Sequence, residues 1–434
     1  MNLRRIFAAL LLLLAAAAGA QSADTSYIVK PGDTLMSIAS EQLAGGAKDY
    51  RRLAAHNGLK DANVIAPGTT LRIPAAWLKR QAATTRVIAV SGDVKAGERA
   101  LKVGDTVAEG EQVASGPAGY ATLEFADRSV LRIRPESRVT VEAHKSAPTL
   151  TEFETRLRLG AGAIEATVAK QRAQDFRVRT PTANMAVRGT EWRVRASETI
   201  TQTEVTEGRV AVAGDKGKEV VLVAGFGTVV RQGEAPARPV QLLGAPDLSR
   251  VPELQERPAV HIAFPALPGA SGYRVVAALD REMRNVVVEA DVTRPVVRIV
   301  DLRDGEYFYA VRGVGALGLE GREAQARFRL KARPLPPDPQ APAGGASLPP
   351  GPVEFTWENG EEAASFRFQL ATDERFGTLL IDRAELAERR LRAEKLEPGR
   401  YWWRVASTRA NGDPGPFGDA QPFTVQAPEQ GTAR

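Results

Sequence analysis

The residue types that carry catalysis are few and scattered in this 434-residue chain. There is no cysteine, which removes thiolate nucleophiles, thiolate metal ligands and disulfides together. The three histidines, His56, His144 and His261, fall in separate segments, without the close spacing that lets one element present two imidazoles to a metal. No Gly-x-Ser-x-Gly or Ser-x-x-Lys element stands in a strand-to-helix setting. The 52 acidic residues offer many accidental carboxylate pairs of the kind used in glycoside hydrolysis, so a cell-wall hydrolase stays open as an alternative. The expectation is a chain without catalytic residues, metal or cofactor, whose chemistry is binding.

Groups suited to an uncharged ligand cluster near the start. Tyr27–Lys30 reads as a strand stopped by Pro31-Gly32, and Asp33 or Thr34 N-caps a helix with Leu35, Ile38 and Ala39 at helical spacing. A second helix carries Tyr50, Leu53 and Ala54; after Asn57-Gly58 the chain returns through Pro67-Gly68 to a strand, Thr70–Ile73. The blocks VKPGDTLMSIA, HNGL and IAPGTTLRIP, in this order, resemble a LysM domain over residues 24–75. That resemblance implies a βααβ fold and a shallow groove for N-acetylglucosamine-containing glycan, usually peptidoglycan. Carried over by position, Gly32, Asp33, Thr34 and Leu35 would form one lip, with Asn57, Ile65, Ala66 and Pro67 opposite. Backbone amides at a helix start and side-chain amides can pair with acetamido and hydroxyl groups without a charge on the ligand. Met36 departs from the family, where an aromatic residue is frequent.

From residue 86 to 235 apolar and polar residues alternate with period two, as in ATLEF, VLRIRPESRVTVE, FRVRT and EWRVRA, between turn signals such as Ala126-Asp127-Arg128-Ser129. Short antiparallel strands with one buried face follow. The opposite faces carry Arg132, Arg134, Arg177, Arg179, Arg193 and Arg195, which could line up as an acidic-ligand surface; a solvated face among acidic neighbours such as Glu124, Glu142 and Glu191 is the plainer reading. The blocks ATLEFADRSVLRIRPESRVTVE, LRLGAGAIEATV, FRVRTPTANMAVRGTEWRV and TEVTEGRVAVAG resemble the FecR domain, an antiparallel sandwich or roll. On that reading Thr180–Val194 is a corner: a strand ends at Thr180-Pro181, the chain crosses over, and Arg188-Gly189-Thr190 admits it to the next strand. FecR-type regulators relay a receptor signal through a membrane helix to a cytoplasmic sigma-factor-binding segment. No internal membrane helix is expected here, so the resemblance implies a protein- or ligand-sensing domain, or an accessory to such a signalling circuit.

A repeat fills the C-terminal part. Shifted by about 93 residues, Ser271–Met283 overlays Ala364–Phe376, and with one residue more Tyr307, Phe308 and Tyr309 meet Tyr401, Trp402 and Trp403. Both copies, 258–332 and 352–427, resemble fibronectin type III-like sandwiches, with residues 333–351 as a Pro-rich, extended spacer. Of the adjacent Trp402 and Trp403 one must face outward, to stack on a sugar or to sit beneath an arginine such as Arg367 or Arg404.

Residues 1–20, MNLRRIFAALLLLLAAAAGA, have the layout of a secretory signal peptide, with Arg4 and Arg5 before an apolar run and Ala18-Gly19-Ala20 at its end. Without Arg4 and Arg5 the chain holds 56 basic against 52 acidic residues, too small a bias for a nucleic-acid footprint. The combined expectation is an exported, mainly β, multidomain protein of the periplasm. It has no integral membrane segment after signal removal, and binds peptidoglycan or a related glycan together with an envelope protein partner.

Overall fold

The computed structural model describes residues 24–147, 152–170, 173–358 and 363–427; the signal-peptide segment 1–20 lies outside the described residues. Among the described residues no helix is long and apolar enough to cross a membrane.

The N-terminal unit is a two-stranded antiparallel sheet, β1 (Asp24–Ile28) with β2 (Thr70–Pro74), enclosing α1 (Leu35–Gln42) and α2 (Tyr50–His56). Thr34 is the N-cap of α1: its Oγ1 accepts from Ser37 N while Ser37 Oγ accepts from Thr34 N, a reciprocal capping box. Leu35, Ile38 and Ala39 then face Leu53, Ala54, Leu71 and Ile73 in one core. That core continues past residue 75: Leu78 is buried in it and bridges to Leu43. Ala147, from the next unit, is buried in the same core, and Gln81–Ala82 pairs with Lys145–Ser146.

The second unit is a sixteen-stranded sheet among the described residues, antiparallel apart from the pairing of Glu152–Arg158 with Ala173–Arg179. Its inner residues, from Val87 through Trp192 to Val230, form one core, so the sheet must fold over on itself. The strands that carry the outer face are β3 (Tyr120–Phe125), β4 (Val130–Ile133), β5 (Glu152–Thr167), β6 (Ala183–Ala196) and β7 (Ile200–Gly214).

The Thr180–Val194 stretch departs from the expected corner. Thr180–Thr182 is a tight turn, after which Asn184 pairs with Arg179 and β6 runs on without a crossover. Gly189, at φ +58°, sits in a β-bulge, and Thr190 Oγ1 donates to Arg188 O and Arg209 O across it. The bulge changes the parity of the strand. Before it Ala183, Met185 and Val187 enter the core; after it Trp192, Val194 and Ala196 do, so Arg193 and Arg195 point outward.

Two β-sandwiches follow. In the first, β8 (Gly272–Ala278), β9 (Val286–Val292), β10 (Gly305–Val314) and β11 (Glu320–Leu330) form the larger sheet. In the second, β12 (Ser365–Ala371), β13 (Leu379–Leu386) and β14 (Gly399–Thr408) take the equivalent places. Local details repeat as well. Tyr307 and Tyr401 each donate to the carbonyl four residues upstream, at Arg303 and Glu397, which is the tyrosine corner of such sandwiches. Met283 and Phe376 share a left-handed backbone at φ +54° and +58°.

The Pro-rich segment is not a free spacer. Pro339–Ala341 and Ala346–Leu348 are strands at sheet edges of the second sandwich, where a missing N–H costs no ladder bond. The first sandwich likewise begins before residue 258, since Leu248 and Val251 pack on its core. Of the paired tryptophans, Trp403 is fully buried and Trp402 is half-buried, with Arg400 over its ring at 4.9 Å in place of Arg367 or Arg404.

Candidate functional site

Beyond Ile28 and Thr70 the ladder of the N-terminal unit continues, with Val29 N donating to Thr69 O at 2.9 Å and Gly68 N to Val29 O at 2.8 Å. The loop after β1 and the loop before β2 therefore leave the sheet side by side. On the first lip, Gly32 (φ +90°) and Thr34 are exposed, while Asp33 turns inward. Asp33 Oδ2 accepts from Tyr27 Oη at 2.9 Å and from Lys30 N at 2.7 Å, which closes the turn. Burial, then the bond to Asp33, pushes the Tyr27 hydroxyl up to about 12. The Leu35 side chain is in the core, so only its backbone can meet a ligand. Ser37 N and Ile38 N are paired with Thr34, leaving the Leu35 and Met36 amides of the first turn as donors at this lip. On the opposite lip Ile65 is half-buried against the core, whereas Ala66 and Pro67 are exposed. Met36 and Val64, next to the two lips, are exposed apolar side chains.

Asn57, expected on the opposite lip, spends most of its amide on the domain itself. Its Nδ2 donates to Leu53 O at 2.9 Å and Arg72 O at 2.8 Å, and its Oδ1 accepts from Arg72 N at 2.6 Å. Both amide protons are spent tying the end of α2 to β2, leaving one lone pair of Oδ1 for anything else.

The second concentration of polar groups lies on the outer face of the sixteen-stranded sheet. Cross-strand pairing sets Thr122, Arg132, Glu165, Arg193 and Glu204 in one row over β3 to β7. A neighbouring row holds Tyr120, Arg134, Ala163, Arg195 and Gln202. The first sandwich lies across both rows. Glu165 accepts from Arg132 Nη1 at 2.8 Å on its own sheet and from Arg312 Nη1 at 2.5 Å on β10. Glu320 faces Arg134 and Arg195 at 2.9 Å, and also Arg274 and Arg312 of its own sandwich. Glu289 takes Arg134, Arg274 and the Tyr120 hydroxyl. Arg193 Nη2 donates to the carbonyls of Glu320 and Gly321 at 2.9 and 2.8 Å.

Two apolar clusters flank the ion pairs. Tyr120 packs with Val276, Ala278, Met283, Val286 and Ala310, and Val229 and Leu242 pack with Leu319. Four of the arginines expected on a solvated face are thus interdomain residues: Arg134 and Arg193 are buried, Arg132 and Arg195 half-buried. Arg177 and Arg179 do remain exposed. An alternating Arg/Glu face looks the same in sequence whether water or a complementary charged sheet lies over it.

Burial raises every carboxyl here, and the outcome turns on the cations within reach. Glu165 and Glu320 meet burial with several guanidinium groups, Arg312 and Arg134 foremost, and are held well below the ordinary range. Glu204 is pushed up to about 7 by burial, which Arg193 only partly offsets, while the Glu320 charge adds to the rise. Burial and Arg312 pull Arg193 down.

Family models match two segments: LysM domain at residues 27–74 and FecR protein at residues 111–211. The chain carries a LysM domain and a FecR domain. Both families are non-catalytic binding or signalling domains of extracytoplasmic bacterial proteins, LysM for glycan and FecR for protein partnership. An uncharacterized protein of Deinococcus radiodurans is 45% identical over 51 residues, which is 12% of this chain and about a fifth, 20%, of that protein. Similar solved structures include a protein assigned as an anti-sigma factor from Parabacteroides distasonis, at 17% identity and TM-score 0.26, covering 30% of this chain and 59% of that one. Others are chicken CNTN1 FN1-FN3 domains, at 14% identity and TM-score 0.22, covering 72% and 100%, and the Clostridium thermocellum CbhA fibronectin(III)-like modules, at 12% and 0.19, covering 44% and 97%. The two C-terminal units are β-sandwiches, and the chain as a whole is mainly β with a small βααβ domain at its start.

Proposed function

We propose that this is a non-catalytic periplasmic protein that holds itself to peptidoglycan through the LysM groove and presents the FecR domain, locked to the first sandwich, to an envelope protein. The LysM match over a groove with exposed, uncharged lips supports this most directly. Gly32, Thr34, Ala66 and Pro67, with the Leu35 backbone, are the contact positions; Asp33 shapes the lip from within, Ile65 supports the other, and Asn57 acts by holding α2 to β2. A non-catalytic reading agrees with the interdomain carboxylates: Glu165 and Glu320 are saturated with arginine, and Glu204 is shielded beneath Glu320.

Co-sedimentation with insoluble peptidoglycan tests the proposal. The wild-type chain is expected in the pellet, and Ala66→Trp, which blocks the groove from an exposed position, in the supernatant with an unchanged circular dichroism spectrum. Equal pelleting of both would move glycan binding away from this groove. Asn57→Ala is expected to lower domain stability by about 1–3 kcal/mol, through unpaired backbone groups of Arg72, before it touches affinity.

The FecR match also favours a second reading, an accessory of a sigma-factor regulatory circuit. A sigma-factor gene beside this one would favour it. The outer face of the domain is already covered by the first sandwich, so a signalling partner would have to use another surface or displace that cover.

A further inference from the structure

Along one flank of the docked pair a cleft of about 920 Å³ opens between the FecR domain and the first sandwich. Its sandwich wall is β9, the last strand of the larger sheet, which pairs with β8 on one side and, among the described residues, with no strand on the other. Val286, Val287, Val288, Glu289 and Asp291 all line the cleft. Successive side chains leave a strand on opposite faces, so a run of neighbours lining one cavity means that the cavity meets the strand along its edge. An edge presents backbone N–H and C=O groups without a ladder partner, a template for one more strand. The FecR wall comes from turns, among them Pro117-Ala118, Pro135-Glu136 and Ser197-Glu198. The counterpart of β9 in the second sandwich, β13, is an edge strand as well, but it is exposed along most of its length where β9 is mostly half-buried.

The charge of the lining sets the occupant. Its arginines, Arg134, Arg195 and Arg274, are all held by Glu289 or Glu320 of the interface. What faces the opening is acidic. Glu136 and Glu198 are exposed and hold no ion pair among the described residues, and Asp291, which shares Arg274, keeps its side chain 64% exposed. Between these charges lie exposed Pro117, Ala118 and Val287. We propose that the cleft receives an extended, lysine- or arginine-bearing segment of a protein partner, which joins the open edge of β9 as a further strand. Backbone pairing supplies affinity in this mode, while the carboxylates answer the segment's cations and the apolar lining its other side chains. The inference rests on the reading that the docked pair is shown to an envelope protein, and it names where and how that protein binds. Because each domain supplies one wall, a bound segment also stabilises their docking.

Fluorescence anisotropy of the full mature chain with a labelled, alternating Lys-Val octapeptide tests this. Saturable binding is expected, at least tenfold tighter than for the Glu-Val octapeptide. N-methylation of two adjacent central amides, which blocks both edges of the added strand and leaves its charge unchanged, should cost at least tenfold. Glu136→Gln/Glu198→Gln should weaken the Lys-Val peptide severalfold, and Glu306→Gln, exposed on the same sandwich outside the cleft, should not. The chain has no cysteine, so Val287→Cys places a single thiol at the cleft. A bromoacetyl Lys-Val peptide should alkylate it at least tenfold faster than the thiol of Leu380→Cys, the equivalent bulge position on the open edge of β13. Equal affinity for the two peptides, indifference to N-methylation, or equal alkylation rates would each overturn the proposal. Binding that vanishes as the chain is concentrated would give the edge to a second copy and overturn it likewise. None of these measurements uses peptidoglycan, so failure of wall attachment in co-sedimentation and failure of the cleft to take a peptide are seen separately.

Discussion

The two sandwiches are copies of one module, yet one is buried on a face that the other leaves open. Arg274 and Glu289 of the first correspond to Arg367 and Asp382 of the second, and each arginine reaches across to its acid on the neighbouring strand. In the first copy that pair is covered by the FecR domain, with Tyr120 seated on Val276, Met283, Val286 and Ala310. In the second the corresponding residues are Gln369, Phe376, Leu379 and Arg404. Leu379 is 40% exposed where Val286 is 2% exposed. Arg404 lies 3.9 Å over Phe376 and 4.3 Å from the Phe417 ring, so the second copy covers its own aromatic surface with a guanidinium where the first uses a neighbour's tyrosine. Burial of a charge pair is decided by what stands opposite it, and the same two residues can be an interface in one copy and a solvated ornament in the other.

The largest effect expected to separate the copies comes from Arg312→Ala. This removes the cation shared by Glu165, Glu320 and Glu323 and leaves buried carboxylates short of a partner, a loss of about 3–5 kcal/mol. Urea denaturation should show it as an early transition of the docked pair. A loss below about 1 kcal/mol would mean that water already reaches these groups.

Glu204 gives the comparison a pH dependence. Its folded pKa of about 7 lies above the ordinary 4.5, so between those values the folded protein keeps a proton that the unfolded chain has released. Its contribution is present below pH 4.5 and is lost as pH rises through 7; Glu165 and Glu320, held low, contribute the reverse, losing stability as pH falls through the acid range. Glu204→Gln keeps an oxygen to accept from Glu320 N and removes the titration. The variant is expected to exceed wild type by about 1–3 kcal/mol at pH 8 and to match it near pH 4.5. Equal gains at both values would assign the effect to packing. A smaller step follows for Tyr120→Phe, which keeps the apolar contact and withdraws one hydroxyl from Glu289, at about 1–2 kcal/mol in the same denaturation.

Much of this was legible in the residues. Period-two alternation marked the strands, Asp33-Thr34 ahead of Leu35 marked the helix start, and the 93-residue repeat survives in matching tyrosine corners. The docking was not. The EWRVRA alternation already set Arg193 and Arg195 outward, but the bulge at Gly189 and Thr190 that joins the two halves of β6 was read as a corner, because a bulge and a corner draw on the same residue types. The docking itself depends on long-range complementarity: Glu165 meets Arg312, 147 positions away, and nothing local to either residue announces the other. The clasp of Asn57 to β2 was hidden for a related reason, since an asparagine on a groove lip and one tied to a strand have the same neighbours in sequence.

The smallest expected effect is the most direct test of what the two copies teach. Arg367→Ala removes the counterpart of Arg274, breaking a pair that is well formed, at 2.9 and 2.7 Å, but has side chains 48% and 31% exposed. Water can replace the guanidinium at Asp382, and ordering two long side chains offsets most of the Coulombic gain, so a cost below about 1 kcal/mol is expected, shrinking further in 1 M salt. Arg274→Ala in the same protein should cost several times more and respond little to salt, because Glu289 and Glu320 lose a cation where water does not follow. If denaturation gave the two variants equal costs, the face of the second copy would have to be covered in solution too, and the contrast between a docked and an open module would fail.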